Sequence, residues 1–176
     1  SHDLFLRTVI SYTVVLTVQF GFFALFPVTA IGLRPDADQL DMAVIHDWAV
    51  RLTYWFDPPF NLFPSLHVSI ATIAALSAWR ARRLWGGWAL AGVAGIIAST
   101  CTMKQHYIVD GLAGLLLATG TYAVVFRRAP TEPFKERAYS WRGPALYLAF
   151  HLLFYAVFIG LWAADFRPWR ESAGHL

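Results

Sequence analysis

The chain has little charge and only one cysteine, and these two scarcities exclude several classes of protein. Only 14% of its 176 residues are Asp, Glu, Lys or Arg, whereas soluble domains carry about 25%. The lone Cys101 excludes an internal disulfide and any metal site built from several cysteines. The net charge of +3 is small and spread along the chain, so it does not indicate a nucleic-acid partner.

Apolar and aromatic residues are abundant instead. Hydrophobic residues make up 57% of the sequence, and eight Trp and seven Tyr suit a protein with two membrane interfaces. A membrane helix needs about 20 apolar residues. Five stretches approach that length, of which the second is short: 6–26, 65–79, 85–102, 105–126 and 144–164. The sequence therefore predicts an all-α, polytopic membrane helix bundle with about five transmembrane helices, folded as one integral membrane domain over residues 1–176.

The distribution of Lys and Arg predicts the orientation of this bundle. If the five stretches alternate in direction, nine of the fourteen basic residues lie on one side: Arg7, Arg80, Arg82, Arg83, Arg127, Arg128, Lys135, Arg137 and Arg142. The positive-inside rule makes this side cytoplasmic. The polar loop at about 27–63 is then extracytoplasmic and the basic loop at about 127–143 cytoplasmic. We expect an integral protein of the plasma (inner) membrane.

The start of the chain shows no cleavable signal peptide. The first apolar run is too long for one and lacks an Ala-x-Ala-like site. The Ser1-His2 start without Met indicates a processed or engineered N-terminus.

Two short strings at the starts of apolar runs carry the candidate chemistry. Pro64–His67 reads PSLH, and Lys104–Asp110 reads KQHYIVD. On a helix, His106 and Asp110 share a face because they are four residues apart. A carboxylate there holds the imidazole in one tautomer and stabilises its charged form, as a nucleophilic or basic histidine needs. Two histidines, one carboxylate and a helix N-terminus indicate a phosphoryl-transfer site.

Other polar and small residues receive non-catalytic interpretations. His46 and Asp47 lie in the polar loop with two Trp residues, which favours an interfacial amphipathic helix over a metal site. His151 falls in the last stretch and favours an interhelical hydrogen bond. Small residues in the third and fourth stretches are either close-packing positions between those two helices or ordinary membrane filler: Ala91, Gly92, Gly95, Gly111, Gly114 and Ala118.

The two strings together resemble the type 2 phosphatidic acid phosphatase superfamily, whose pattern is Pro-Ser-x-His followed after two helices by His-x3-Asp. More closely, Asp57–His67 (DPPFNLFPSLH) and Ser99–Asp110 (STCTMKQHYIVD) are similar to its branch of inositol phosphorylceramide synthase-like and sphingomyelin synthase-like proteins. The resemblance covers a motif-bearing core at about 16–126. It implies a six-helix membrane enzyme with a site facing away from the cytoplasm and chemistry without a metal or other cofactor. In this chain we expect the family core of four helices, followed by one C-terminal helix.

The resemblance also implies roles for individual residues. His106 is the nucleophile that forms a phosphohistidine, Asp110 orients it and stabilises its charge, and His67 protonates the leaving alcohol. Three further residues are expected to bind the phosphate: Arg34, Lys104 and Ser65.

Two cationic positions of the superfamily are occupied differently in this chain. Of the superfamily pattern Lys-x6-Arg-Pro, this chain keeps Arg34 and the proline but has Pro27 at the lysine position. Of the pattern Ser-Arg-x5-His, it keeps Ser99 but has Thr100 at the arginine position. A phosphomonoester dianion asks for more positive charge than a phosphodiester monoanion, so we expect a preference for phosphodiesters.

The resulting interpretation is a membrane enzyme that cleaves or transfers the phosphate headgroup of a lipid, with water or an alcohol as acceptor. One alternative is a lipid phosphomonoester or polyprenyl pyrophosphate phosphatase. An alternative of another class is a catalytically inactive lipid-binding scaffold, against which the intact His67, His106 and Asp110 argue. A further alternative, a vanadate-dependent oxidase, rests on family analogy alone. The membrane-spanning pattern and the missing cationic ligands argue against it.

The Lys/Arg asymmetry makes the topology testable. In a Cys101→Ser background, the Arg82→Cys variant should be shielded from a membrane-impermeant thiol reagent in intact cells, because residue 82 is predicted to be cytoplasmic. The Asp38→Cys variant should be labelled. The opposite labelling pattern would invert the orientation and place the site in the cytoplasm.

Overall fold

The computed structural model describes residues 2–36, 39–57, 59–127 and 142–169. Among these residues there are six α-helices and no strand: α1 (His2–Leu25), α2 (Ile45–Phe56), α3 (Leu66–Ala81), α4 (Arg83–Thr102), α5 (Ile108–Phe126) and α6 (Arg142–Ala163). The predicted all-α membrane helix bundle is confirmed. The basic loop predicted at about 127–143 lies almost wholly outside the described residues, as does Asp38.

The helices differ in whether they are long enough to span a bilayer. In the described part of the chain, α1, α4 and α5 are long and apolar enough to cross a membrane. Helix α3 has 16 residues, which is roughly 24 Å at the α-helical rise, against a hydrocarbon core of about 30 Å. The apolar helical segment at 148–163 in α6 is also short. Three helices of the described residues are therefore candidate full-length spans, and the count of about five stays a prediction.

The chain divides into two compact units. The first comprises Ser1–Arg34 and Pro59–Phe134 and contains α1, α3, α4 and α5. Within it, α3 packs against α1, α4 and α5, and α1 also packs against α5. The shortest helix of this unit is therefore its centre, and it buries Val68, Ser69, Thr72, Ile73 and Ala75.

Helices α3 and α5 run parallel and begin at the same end of the first unit. The Ser65 N–H group, at the start of α3, donates a hydrogen bond of 3.0 Å to the carbonyl of Asp110, at the start of α5. Towards the other end, the Tyr122 hydroxyl donates to the Leu76 carbonyl at 3.1 Å. Because α4 carries the chain back between them, the two helix N-termini lie side by side.

This close approach depends on Gly114. A Cβ atom there would lie 2.5 Å from the Ser65 carbonyl oxygen and 3.0 Å from the Ser69 hydroxyl. The sequence left open whether the small residues of α5 pack against α4 or are ordinary membrane filler. Neither interpretation holds for Gly114, which packs closely against the central helix α3. The small residues Gly92 and Gly95 of α4 would have no atom within 4 Å of an added Cβ. They are surface positions of the unit, not packing positions.

The opposite end of the first unit is basic. Arg7 donates a 2.8 Å hydrogen bond to the Val125 carbonyl, where a cation is favoured by the C-terminal end of the α5 dipole. The Arg80 guanidinium lies 5.1 Å from the Phe126 ring centroid. Arg83 lies over the Trp79 ring at 5.9 Å. Basic residues that the sequence assigns to one side of the membrane thus lie at the end remote from the starts of α3 and α5.

The second unit comprises Pro35–Pro58 and Lys135–Leu176 and contains α2 and α6. Trp48 of α2 is buried, packs edge-on against Phe158 of α6 at 5.0 Å, and donates from Nε1 to the Phe166 carbonyl at 2.8 Å. A helix therefore forms where the sequence predicts one around His46 and Asp47; its place at the membrane interface stays a prediction. A hydrogen bond from His46 lowers the pKa of the Asp47 carboxyl.

Gly114 offers a test of the α3–α5 contact. Gly114→Ala should lower the free energy of unfolding by about 1–3 kcal/mol, as overpacking of a tight contact does, because a backbone carbonyl cannot move away as a flexible side chain can. The measurement is thermal unfolding in detergent. Gly120→Ala is the matched control on the same helix, since nothing lies within 4 Å of a Cβ there. Equal stability of the two variants would contradict the contact.

Candidate active site

The two motif strings meet at the adjoining N-termini of α3 and α5. His67 lies in the first turn of α3, and His106 lies in the turn just before α5. His67 Nδ1 is 3.4 Å from His106 Nε2, although the two residues are 39 positions apart in the chain. Their rings meet edge-on, with centroids 5.7 Å apart and planes at 71°. The structure thus brings both predicted histidines into one site.

Asp110 lies on the other side of the His106 ring. Its Oδ2 atom is 3.5 Å from His106 Nδ1, and the two side chains are only 1% and 7% exposed. This distance is longer than an ordinary N–H···O hydrogen bond of about 2.7–3.2 Å, as catalytic pairs often are before substrate binds. His106 therefore presents Nδ1 to a carboxylate and Nε2 to the second histidine.

The reason given from sequence for the His106–Asp110 pairing needs correction. The two residues do not share a helix face, because α5 begins only at Ile108 and Tyr107 is its N-cap. His106 lies outside the helix, and Asp110 occupies its third helical position. The Asp110 carboxylate accepts a 2.9 Å hydrogen bond from the Tyr107 N–H group, which is half of a capping box. Capping of the helix, not helical periodicity, aims the carboxylate back at His106.

The end of α4 delivers His106 to this position. The N–H groups of Lys104 and Gln105 donate to the carbonyls of Cys101 and Thr100 at 3.1 and 2.9 Å, which is the hydrogen-bond pattern of a Schellman motif. Lys104 has φ +53°, the left-handed conformation that glycine usually supplies. The His106 N–H group also donates to Thr100, at 3.2 Å. Sequence reasoning missed this turn because no glycine marks it.

Ser65 is the N-cap of α3, where the sequence places it, but its hydroxyl forms no capping hydrogen bond. The hydroxyl oxygen is buried and has no hydrogen-bond partner. Buried polar groups are nearly always satisfied, so an unsatisfied hydroxyl at a helix N-terminus indicates a place for a ligand that accepts or donates hydrogen bonds. Two adjoining helix N-termini also favour an anion there.

The two predicted cationic ligands occupy turns of the same unit. Lys104 is exposed, two residues before His106. Arg34 is half-buried and follows a turn in which the Leu33 N–H group donates to the Ala30 carbonyl at 3.0 Å. Thr100, at the superfamily's arginine position, is buried under the His106 turn. The phosphate-binding roles of Arg34, Lys104 and Ser65 stay predictions.

Gln19 is a buried polar side chain beside the site that no sequence motif marks. Gln19 lies in the apolar helix α1 and is fully buried. Its amide bonds to the Pro64 carbonyl and to the Ser69 hydroxyl. The available signal was an amide inside an apolar run, because polar groups in membrane helices are rare without a partner or a function.

Metal ligation finds no geometric support among residues 2–36, 39–57, 59–127 and 142–169, where no group of three or more His, Cys, Asp or Glu is arranged to hold a metal ion. Chemistry without a metal stays a prediction, which a chelator tests below.

Comparison with known proteins identifies the family. A family model described as the PAP2 superfamily matches residues 2–124, more than half of the chain. The chain belongs to the PAP2 superfamily. The match includes His67, His106 and Asp110, and confirms the resemblance at the level of the superfamily. No curated protein and no solved structure gives a significant match. PAP2 membership supports a phosphatase-type, lipid-related function in an integral membrane protein, with a lipid phosphate as substrate.

Lys104 offers a way to separate charge from turn geometry. Lys104→Gly keeps the left-handed turn at no steric cost but removes the ammonium group. If the charge contacts the phosphate, turnover of a lipid phosphate should fall about tenfold or more, while the unfolding temperature is unchanged or slightly raised. Lys104→Arg is the matched control, because it keeps the charge and the strained φ. Full activity of the glycine variant would show that Lys104 is a turn residue only.

Proposed function

We propose that this membrane protein cleaves or transfers the phosphate headgroup of a phosphodiester lipid through a phosphohistidine on His106. The observation that carries the proposal is the convergence of His67, His106 and Asp110 at two adjoining helix N-termini. The position of His106 between Asp110 and His67 supports the proposed roles of nucleophile, orienting carboxylate and general acid. The similarity to inositol phosphorylceramide synthase-like and sphingomyelin synthase-like proteins supports the choice of phosphodiester lipids.

In the first step, the Nε2 lone pair of His106 attacks the phosphorus. The N–P bond forms while the bond from phosphorus to the lipid alcohol oxygen breaks. His67, which faces Nε2 at 3.4 Å, gives its proton to the departing oxygen. General acid assistance of this kind contributes about 10²–10⁴-fold. Asp110 faces Nδ1 and stabilises the positive charge that the phosphorylated imidazole acquires.

In the second step, water or a second alcohol attacks the phosphorus from the side that the first alcohol left. His67 now takes the proton of the incoming hydroxyl, the N–P bond breaks, and His106 regains its lone pair. Hydrolysis and transfer therefore share the same covalent intermediate. The acceptor that reaches it decides which reaction the enzyme performs.

The supply of positive charge favours a diester. The Ser65 hydroxyl and the first-turn N–H groups of α3 and α5 are neutral donors with favourable dipoles, and Arg34 and Lys104 are the two cations proposed to contact the phosphate. Thr100 and Pro27 replace two further cations of the superfamily pattern. A monoanionic phosphodiester needs less compensation than a dianionic phosphomonoester, because the electrostatic cost of the bound anion rises with its charge.

A second candidate is a phosphatase for lipid phosphomonoesters or polyprenyl pyrophosphates, which the PAP2 superfamily match itself favours. It uses the same histidines with water as the acceptor. On the proposed orientation, the site of either enzyme faces away from the cytoplasm, opposite the basic end of the first unit.

The test is a search for the covalent intermediate. Purified protein in detergent is mixed with a phosphodiester lipid or with phosphatidic acid, each labelled at phosphorus, and quenched. We expect an acid-labile, base-stable phosphoprotein and turnover from the diester, both unchanged by EDTA. In His106→Ala both should fall at least a hundredfold, and in Asp110→Asn turnover should fall about 10²–10⁴-fold. His46→Ala is the control, since that side chain is 79% exposed in the second unit.

Each other outcome points to a different function. Near-normal turnover in His106→Ala would contradict the phosphohistidine mechanism. A strong preference for phosphatidic acid with release of inorganic phosphate would replace the proposal with the phosphatase. Loss of activity in EDTA with recovery on adding a divalent metal would refute metal-independent chemistry. A protein that forms neither phosphoenzyme nor product would be a lipid-binding scaffold.

A further inference from the structure

We infer that Gln19 of α1 is a positioning residue, which holds the string Pro64–His67 so that His67 faces His106. The inference rests on the proposed function for the roles of the two histidines. Helix α1 would then help to position the site residues, although it contributes no residue to the motifs.

The contacts of Gln19 bracket His67 in the chain. The Gln19 side chain has no exposed surface. Its Nε2 atom donates to the Pro64 carbonyl at 3.1 Å and to the Ser69 hydroxyl at 2.9 Å. One of these partners precedes His67 by three residues and the other follows it by two. A single amide therefore fixes the start of α3 on both sides of the proposed acid.

Ser69 extends this connection from α1 and α3 to α5. Its hydroxyl oxygen lies 2.9 Å from the Ser65 carbonyl and 3.0 Å from the Gly114 carbonyl. The Ser65 N–H group in turn donates to the Asp110 carbonyl. Helices α1, α3 and α5 are thus joined by hydrogen bonds at one level of the bundle. The path from the amide to the backbone of Asp110 consists only of hydrogen bonds and the short segments that they connect.

Stability alone does not account for an amide at this position. The Oε1 atom of Gln19 is buried and has no hydrogen-bond partner, and leaving a buried acceptor unsatisfied is costly. An apolar side chain of similar length would avoid that cost but would leave the Pro64 carbonyl without the hydrogen bond that Gln19 donates, so the amide brings no clear net gain in stability. Unlike an apolar side chain, an amide forms directional hydrogen bonds. Those of Gln19 end on the Pro64 carbonyl, at the start of the Pro64–His67 string, and on the Ser69 hydroxyl in α3. Their geometric effect is to limit the positions that His67 can take.

The test replaces Gln19 with methionine, which has a similar length and no amide. Gln19→Met should lower kcat by about 10²-fold, the usual effect of a misplacement of about 1 Å, with KM within twofold. Hydrogen exchange of the Ser65 amide should become at least tenfold faster, because its bond to Asp110 depends on the position of the string. Amides of α4 should exchange as before. Thr17→Val is the matched control, since its exposed hydroxyl bonds only within α1, to the Thr13 carbonyl at 2.8 Å.

Ser69→Ala gives a second variant that keeps the proposal testable if Gln19→Met does not fold. It removes one partner of the amide together with the contacts of the Ser69 hydroxyl to the Ser65 and Gly114 carbonyls, so it should produce both effects in the same direction. In either variant, unchanged turnover and unchanged exchange would overturn the inference. Faster exchange with unchanged kcat would also overturn it, since the amide would then have a structural role only.

A failure of the proposed function can be distinguished from a failure of the inference about Gln19. If the wild-type protein turns over no lipid phosphate, the proposed chemistry fails, and hydrogen exchange of Ser65 alone decides whether Gln19 holds the string. Faster exchange in Gln19→Met would then support the positioning of residues 64–67, and unchanged exchange would overturn it.

Discussion

The hydrogen bond from the Ser65 N–H group to the Asp110 carbonyl joins the starts of two parallel helices, and the candidate site depends on it. Its length of 3.0 Å requires the backbones of α3 and α5 to approach closely, which the missing side chain of Gly114 permits. The bond links the two motif strings directly. With the strings joined, His67 and His106 meet, and Asp110 contacts the far side of the same imidazole.

Helix ends do most of the positioning in this site. Parallel helices in one bundle present their N-termini at the same end, so two sets of backbone N–H groups and two favourable dipole ends point to one place. The chain reaches this arrangement through α4, whose C-terminal turn places His106 before α5 and not on it. Asp110 serves both as the capping residue of α5 and as the partner of His106. A change at Asp110 therefore disturbs the helix start as well as the imidazole.

Sequence reasoning found the elements and the site residues that follow from composition and motif. Apolar runs predicted every helix of the first unit, because residues that face lipid or a helix core are uniformly apolar. Two strings predicted that His67, His106 and Asp110 belong together.

Other features depend on where the chain turns and on which helices pair, and the sequence did not predict them. Lys104 adopts a left-handed backbone conformation. A glycine at that position would have indicated the turn, whereas a lysine does not. Gln19 contacts a segment 45 residues away, and no periodicity in α1 marks such a partner. For Gly114 the sequence left packing against α4 and membrane filler open, and its actual neighbour is α3, because the pairing of helices is a property of the bundle.

The short length of α3 has a consequence for how a substrate reaches the site. The helix rises roughly 24 Å. Its basic end carries Arg80 and the exposed ring of Trp79, and the exposed Trp85 lies in the first turn of the next helix, α4. Such side chains favour the headgroup level of a bilayer. With that end held at one headgroup layer, the start of α3 falls several ångströms inside the opposite boundary of a hydrocarbon core of about 30 Å. His67 then lies below the level of the surrounding headgroups. A lipid would then present its phosphate by a small inward movement from the leaflet, without leaving it.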